Sequence, residues 1–317
     1  MSRLFAALTL FFFGFAGAQT YPQKPITLVV PFTAGAANDV LARTLGAEMR
    51  DTLGVVVVEN KPGANGSIAA EYVKRATADG HTLLVVNDSY LILAAMSAGL
   101  PYDMLRDFDA VVHASGLPFF LVINDEAIPV RTLKEFVEHV RARPGKLGYA
   151  TPGNGTPHHL SSEMLKLAAA LDFIHVPYKG MAIALPDLVA GRVQFSITGL
   201  PAVAAQLKGG KLRVLATVGR ARSAVLPEVP TLAESGSKSL DLSAWQGVMA
   251  PAKTPAALVQ RFAAEIARVM NGADMKAALA AQGAYPIASN PEQYAAFFAD
   301  QMERFKKTVD DLGLKLE

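Results

Sequence analysis

The sequence predicts an α/β protein of two domains, and three observations carry the reading. Short apolar, β-branched runs alternate with Ala-rich helical patterns; two strand-to-helix joints are loops of small residues; and the chain is long enough for two cores. Strand-like runs fall at residues 26–30, 55–59, 81–86, 121–124, 147–150, 193–198 and 212–218. Most lead into helical patterns, at 39–52, 67–76, 132–142, 158–170, 181–190 and 201–208. Such alternation builds parallel sheets flanked by helices. Residues 245–251 are strand-like again, and 255–282 and 291–312 read as two helices separated by a short strand near Tyr285. Pro62-Gly63, Pro144-Gly145 and Gly209-Gly210 punctuate the pattern as turns.

The first residues set the expected location. Arg3 supplies a charged start, residues 4–15 an apolar stretch, and Ala16-Gly17-Ala18 a small-residue cleavage pattern. Residues 1–18 thus read as a signal peptide, with a mature chain beginning at Gln19. Their removal from 317 residues leaves 299, two domains at roughly 150 residues each. The absence of cysteine excludes a disulfide framework, a thiolate metal site and a lipid-bearing cysteine after the signal. A Gram-negative periplasm fits best, with free secretion as the alternative. The net charge of +2 falls to +1 when Arg3 leaves, and Lys and Arg are spread evenly, so no nucleic-acid stripe exists.

Chemistry concentrates at the two loops. The first runs from strand 26–30 through Thr33, Ala34, Gly35, Ala36 and Ala37 into a helix for which Asn38 or Asp39 is the expected cap. The first N–H groups of a helix lack intrahelical partners and lie at the positive end of its dipole, so a carboxylate is the natural occupant of such a joint. The second loop, Thr151-Pro152-Gly153-Asn154-Gly155-Thr156-Pro157, repeats the arrangement halfway along the chain, with Thr156 as N-cap and Pro157 opening the helix. If each lies at the carboxyl edge of its own sheet, the two helix starts form opposite walls of one cleft. The stretch 197–201, with Thr198 at a strand end, is a third candidate.

Several blocks extend this reading: PITLVVPFTAGAANDVLAR, VVENKPGANGSIAAEYV, ADGHTLL, LPYDMLRDF, ARPGKLGYATPGNGTPHHL, HVPYKG, KLRVLAT, LPEVPTLAES and AAQGAYP. In this order they resemble the signature blocks of the extracytoplasmic solute receptors of tripartite tricarboxylate transporters, the group expanded in Bordetella-like bacteria. The resemblance covers nearly all of the mature chain. It implies a two-domain, type II periplasmic-binding-protein fold with the ligand cleft between the domains, no catalysis, and delivery of a small organic carboxylate to two integral membrane subunits. Carried over by residue, it places the inner ligand carboxylate on backbone N–H groups and waters along 31–39, and the far wall at Thr151, Gly153, Asn154, Thr156 and His159. The stretch from Asn87 to Ser89, after the third strand, also faces the ligand in such receptors. Two departures stand out. The family has more glycine where this chain has Ala36 and Ala37, and often an Asp-Asn pair where it has Thr198 and Gly199. Loss of that acid weakens an amino-acid ligand and favours a plain organic acid.

Other chemistries find less support. His159 and Glu163 share a helix face, yet no further ligand is spaced to complete a metal site. A nucleophile elbow, an H-E-x-x-H pair, a P-loop and a dinucleotide fingerprint are all absent, and no cofactor is expected. Lys179 could clamp an anion but sits at a turn, where lysines are usually solvated. A receptor feeding a sensor kinase and a periplasmic enzyme are the alternative functions. The expected domains are 19–117 with 220–317, and 118–219, in a monomer, with crossings near Gly116-Leu117-Pro118 and residues 219–223.

Overall fold

The computed structural model describes residues 21–97, 99–219, 222–223, 225–236 and 244–313. The expected signal peptide, residues 1–18, and part of the second crossing lie outside them. In chain order the elements are β1 (Ile26–Val30), α1 (Ala37–Glu48), α2 (Arg50–Leu53), β2 (Val56–Asn60), α3 (Ser67–Lys74), β3 (Thr82–Asn87), α4 (Ser89–Met96), β4 (Phe108–Leu117) and β5 (Phe119–Asn124). There follow α5 (Leu133–Arg141), β6 (Gly148–Thr151), α6 (Pro157–Ala169), β7 (Ile174–Pro177), α7 (Met181–Val189), β8 (Phe195–Gly199), α8 (Ala204–Lys208) and β9 (Leu212–Val218). The last are β10 (Ala244–Pro251), α9 (Ala256–Met270), α10 (Ala273–Ala281), β11 (Tyr285–Pro286) and α11 (Pro291–Leu312).

Among the described residues these strands make two sheets, one ordered β11-β4-β10-β3-β1-β2 and the other β7-β6-β8-β5-β9. The expectation of parallel sheets holds for only part of each. β1 runs parallel to β2 and β3, but β10 is antiparallel to both β3 and β4. In the second sheet β6 is parallel to β7 and β8, whereas β5 is antiparallel to β8 and β9. The antiparallel members flank the places where the chain changes sheet: β4 passes into β5 with Pro118 alone between them, and β9 precedes the return into β10. A proline is tolerated there because no ladder hydrogen bond is needed between two strands of different sheets.

The period of two in β1 explains how its sheet is covered. Ile26, Leu28 and Val30 pack with Leu41, Leu45, Phe262 and Ile266, while Val29 faces the opposite side with Ala69, Val73 and Tyr90. Fully burying a side chain of this kind contributes about 1.5–3 kcal/mol, so both faces hold the strand in register. The long pattern at 255–282 is two helices, because Gly272 serves as the N-cap of α10 after α9 ends at Met270. α11 begins where expected: Asn290 accepts from the Gln293 N–H, and the Gln293 side chain accepts from the Asn290 N–H, with Pro291 at the first position.

Candidate ligand-binding site

A cavity of about 580 Å³ opens between the two sheets beside the joint between β4 and β5. Leu117, Pro118 and Phe119 of the outward crossing border it, as do Ala244, Trp245 and Gln246 of the return strand. Of the residues singled out from sequence, Ala36, Asn38, Asn87, Ser89 and Thr198 line it. Thr33, Ala34, Gly35, Thr151, Gly153, Asn154, Thr156 and His159 stand in the loops behind its rim, outside the lining residues.

The first loop is held by an acid. α1 starts at Ala37 with Ala36 as N-cap, so neither Asn38 nor Asp39 caps it as expected. Asp39, at the third helical position, reaches back instead: its carboxylate accepts from the Gly35 N–H at 2.8 Å, from Arg43 Nε at 2.9 Å and from Asn60 Nδ2 at 2.9 Å. That closure starts the helix early and engages the Gly35 N–H, while Gly35 takes φ of 84°, a region open mainly to glycine. The first N–H groups bonded within the helix are those of Asp39 and Val40, both to the Ala36 carbonyl. The N–H groups of Ala37 and Asn38, both cavity residues, stand ahead of this ladder.

The Arg43 hydrogen bond, with the Gly35 and Asn60 donors, pulls the buried Asp39 carboxyl down to about 2 against the opposing effect of burial. A depressed folded pKa means that its stabilisation is complete above the ordinary carboxylate range and is lost as pH falls toward 2. Wild type is therefore expected to lose stability between about pH 4 and pH 2 more steeply than Asp39→Ala in denaturant titrations. Equal slopes would show that the loop does not depend on this acid.

Asn38 is 3% exposed, and its amide orientation is set from outside the loop. Ser115 Oγ donates to Gln246 Oε1 at 2.8 Å, and Gln246 Nε2 donates to Asn38 Oδ1 at 3.1 Å. This relay occupies the Asn38 carbonyl and leaves its Nδ2 without a protein partner. Trp245 Nε1, Thr198 Oγ1 and His158 Nδ1, all on residues lining the same cavity, also lack protein partners. A buried polar group left unmet costs about 1–3 kcal/mol, and four such groups belong to residues of this one cavity. Asn87 Oδ1 accepts from the Ser89 N–H at 3.2 Å, fixing the turn from β3 into α4.

On the other wall the polar residues shape the loop. Thr156 is the N-cap of α6, accepting from the His159 N–H, and its hydroxyl donates to the Gly153 carbonyl at 2.8 Å. Thr151 Oγ1 lies 2.7 Å from His175 Nε2, and the Gly155 N–H donates to His159 Nδ1 at 3.2 Å. The His159 and His175 rings stack at 4.0 Å, which seats the loop on β7. Asn154 is exposed at the tip. The loop reaches the cavity through Pro152, Pro157 and the half-buried His158, whose ring packs on Phe119 at 4.6 Å. Glu163 accepts from the Tyr149 hydroxyl at 2.6 Å, and Lys179 is exposed outside the lining.

The electrostatics are nearly neutral. No Lys or Arg is among the described residues lining the cavity, and its titratable residues are Asp88 and His158. Burial lowers His158 to about 4, which keeps the imidazole uncharged, and raises Asp88 to about 7. Asp88 lies in the stretch 87–89 expected to face the ligand, whereas Trp245, Gln246 and His158 were not singled out from sequence as ligand-facing. The pairing of β10 with β3, Gln246 opposite Asn87, and the Gln246 hydrogen bond to Asn38 bring the return strand to the first loop.

Two α/β units with a cavity of neutral donors between them define a solute-binding protein. Residues 41–314 match the profile described as the tripartite tricarboxylate transporter family receptor. Protein BugT of Bordetella pertussis is 35% identical over 325 residues, covering 100% of this chain and 99% of its own length. Among solved structures, Rpa4515 of R. palustris with adipate is 31% identical with a TM-score of 0.78, covering 93% of this chain and 99% of that one. MatC of Rhodopseudomonas palustris with bound malate is likewise 31% identical, with a TM-score of 0.72 and coverage of 91% and 100%. The chain belongs to the tripartite tricarboxylate transporter receptor family, whose members and structural neighbours are periplasmic binding proteins with a two-domain fold. Among the described residues no helix is long and apolar enough to cross a membrane.

Proposed function

We propose that this protein captures a small organic carboxylate in the cavity between its sheets and delivers it to the two integral membrane subunits of a tripartite transporter. The observation that carries the reading is the set of unpartnered polar groups on Asn38, Thr198, Trp245 and His158 around one cavity that no cation lines among the described residues. The bound adipate and malate of the two related structures support the ligand class. The carboxylate rests on the Asn38 amide and the N–H groups opening α1, with the loop 151–157 as the opposite wall. The remaining lining, including Phe32, Phe119 and Met181, favours a ligand with an apolar body.

The reading includes export by cleavage after Ala18, a monomer, and domains of 19–117 with 220–317 and 118–219. It also includes the absence of catalysis.

A thermal-shift panel of mono-, di- and tricarboxylates tests the ligand class. A true ligand at about 100 times its dissociation constant adds roughly 2.7 kcal/mol of stability and raises the melting temperature by several degrees. Its affinity is expected to change little between about 20 mM and about 300 mM salt, because buried dipoles are screened less than exposed charges. A steep salt dependence would move the anchor to an exposed cation such as Lys179. Loss of carboxylate uptake on deletion of the gene tests the delivery step.

A further inference from the structure

We propose that Asp88 meets the ligand as a neutral acid, so that capture of a carboxylate by this protein takes up one proton. The inference rests on the carboxylate reading above and adds a proton to it. Asp88 is 4% exposed, lies between the cavity residues Asn87 and Ser89, and itself borders the cavity. It precedes α4, and its main-chain carbonyl accepts from the Leu91 and Ile92 N–H groups at 3.0 and 3.1 Å. Its side chain makes no capping hydrogen bond, and the donors that face its carboxyl are the N–H groups of Asp88 and Ser89.

Among the described residues, the groups around it offer no compensating cation. β3 and the turn Ala64–Gly66, both packed on α4, carry no charged side chain. α1 contributes Asp39 and Arg43, which are paired with each other at 2.9 Å. β10 brings Trp245 and Gln246, and α6 brings the uncharged His158. α11 places Tyr294, Phe298 and Met302 in the core, with Lys306 at the opposite end of α4 beside Ser97. Burial raises the Asp88 carboxyl to about 7, with only the N–H groups of Asp88 and Ser89 acting against it. A second carboxylate entering this low-dielectric space raises it further, since two like charges in one buried site cannot both persist. The shared proton then rests on Asp88, whose O–H becomes a donor to the ligand, and it returns to solvent when the ligand leaves.

Calorimetry with adipate and malate, both dianions near neutral pH, tests this in two buffers of different ionisation heat. Wild type is expected to take up about 0.9 proton per ligand at about pH 8 and only about a quarter of a proton at about pH 6.5, and to bind roughly eightfold more weakly at the higher pH. Asp88→Asn, whatever its absolute affinity, is expected to bind with no proton uptake and a flat pH profile. Wild-type binding without proton uptake would overturn the inference and leave the carboxylate reading standing. So would a variant that keeps the wild-type pH dependence, or affinity that rises with pH. Failure of every carboxylate to bind at any pH would overturn the carboxylate reading itself.

Discussion

Gly247→Ala is expected to destabilise the protein by about 3 kcal/mol, near the upper end of what overpacking a core typically costs. Gly247 lies within β10, the strand that joins β3 to β4 in the first sheet. A methyl group there would collide with the Tyr294 hydroxyl and lie 2.5 Å from its Cζ and 2.9 Å from the Val112 carbonyl oxygen. Neither neighbour can yield. Tyr294 is fully buried and packed edge-on against Trp245 and Phe298, and Val112 belongs to the facing strand. For a chain of this size the melting temperature should fall by roughly 6 °C or more. Because Trp245 and Gln246 precede the glycine directly, the surviving folded protein should also bind carboxylates less well. Tyr294→Leu in the same chain should recover part of the loss, since the two positions share one contact. A melting temperature within about a degree of wild type would show that this strand has room it does not display.

Asn38→Asp should weaken binding of adipate or malate by at least about 100-fold, or roughly 2.7 kcal/mol. The substitution keeps size and shape but turns the unpartnered donor Nδ2 into an acceptor oxygen, while Gln246 Nε2 continues to occupy the other position. A buried carboxylate would then confront the ligand carboxylate, with no cation among the described lining residues to separate them. Gln246→Leu should give a smaller loss, because Asn38 keeps its donor but loses the partner that orients it. Titration calorimetry checks both, with melting curves to establish folding. Equal affinity for wild type and Asn38→Asp would remove Asn38 from the anion site.

Much of the scaffold was legible because local pattern and tertiary role agree. β1 and β9 occupy the expected residues, and Thr156 and Pro157 open α6 as their chemistry dictates. β4 was missed because Asp109, His113, Ser115 and Gly116 interrupt its apolar alternation. Their justification is tertiary: Ser115 bonds Gln246, and His113 stacks on Phe297 at 4.2 Å. α4 was missed for the opposite reason, since Ser89–Met96 is apolar nearly all round and shows no helical period. The loops themselves were visible as strand-to-helix joints. Which of their atoms remain free was not, because that depends on Asp39 folding back on Gly35 and on Gln246 arriving from 208 positions away.

The second sheet is also a detachable piece of text. All of its strands lie between residues 119 and 218, and its first and last residues, Phe119 and Val218, sit opposite one another in the β5–β9 ladder. A segment whose two ends meet in this way can be copied into a relative with two splices that fall side by side, next to the buried pair Phe119 and Val218. Such an exchange would carry Thr198, Pro152 and His158 together and leave Asn38, Asp88 and Gln246 with the recipient. Gene recombination within this family would thus reassort one wall of the cavity without replacing the wall that holds Asn38.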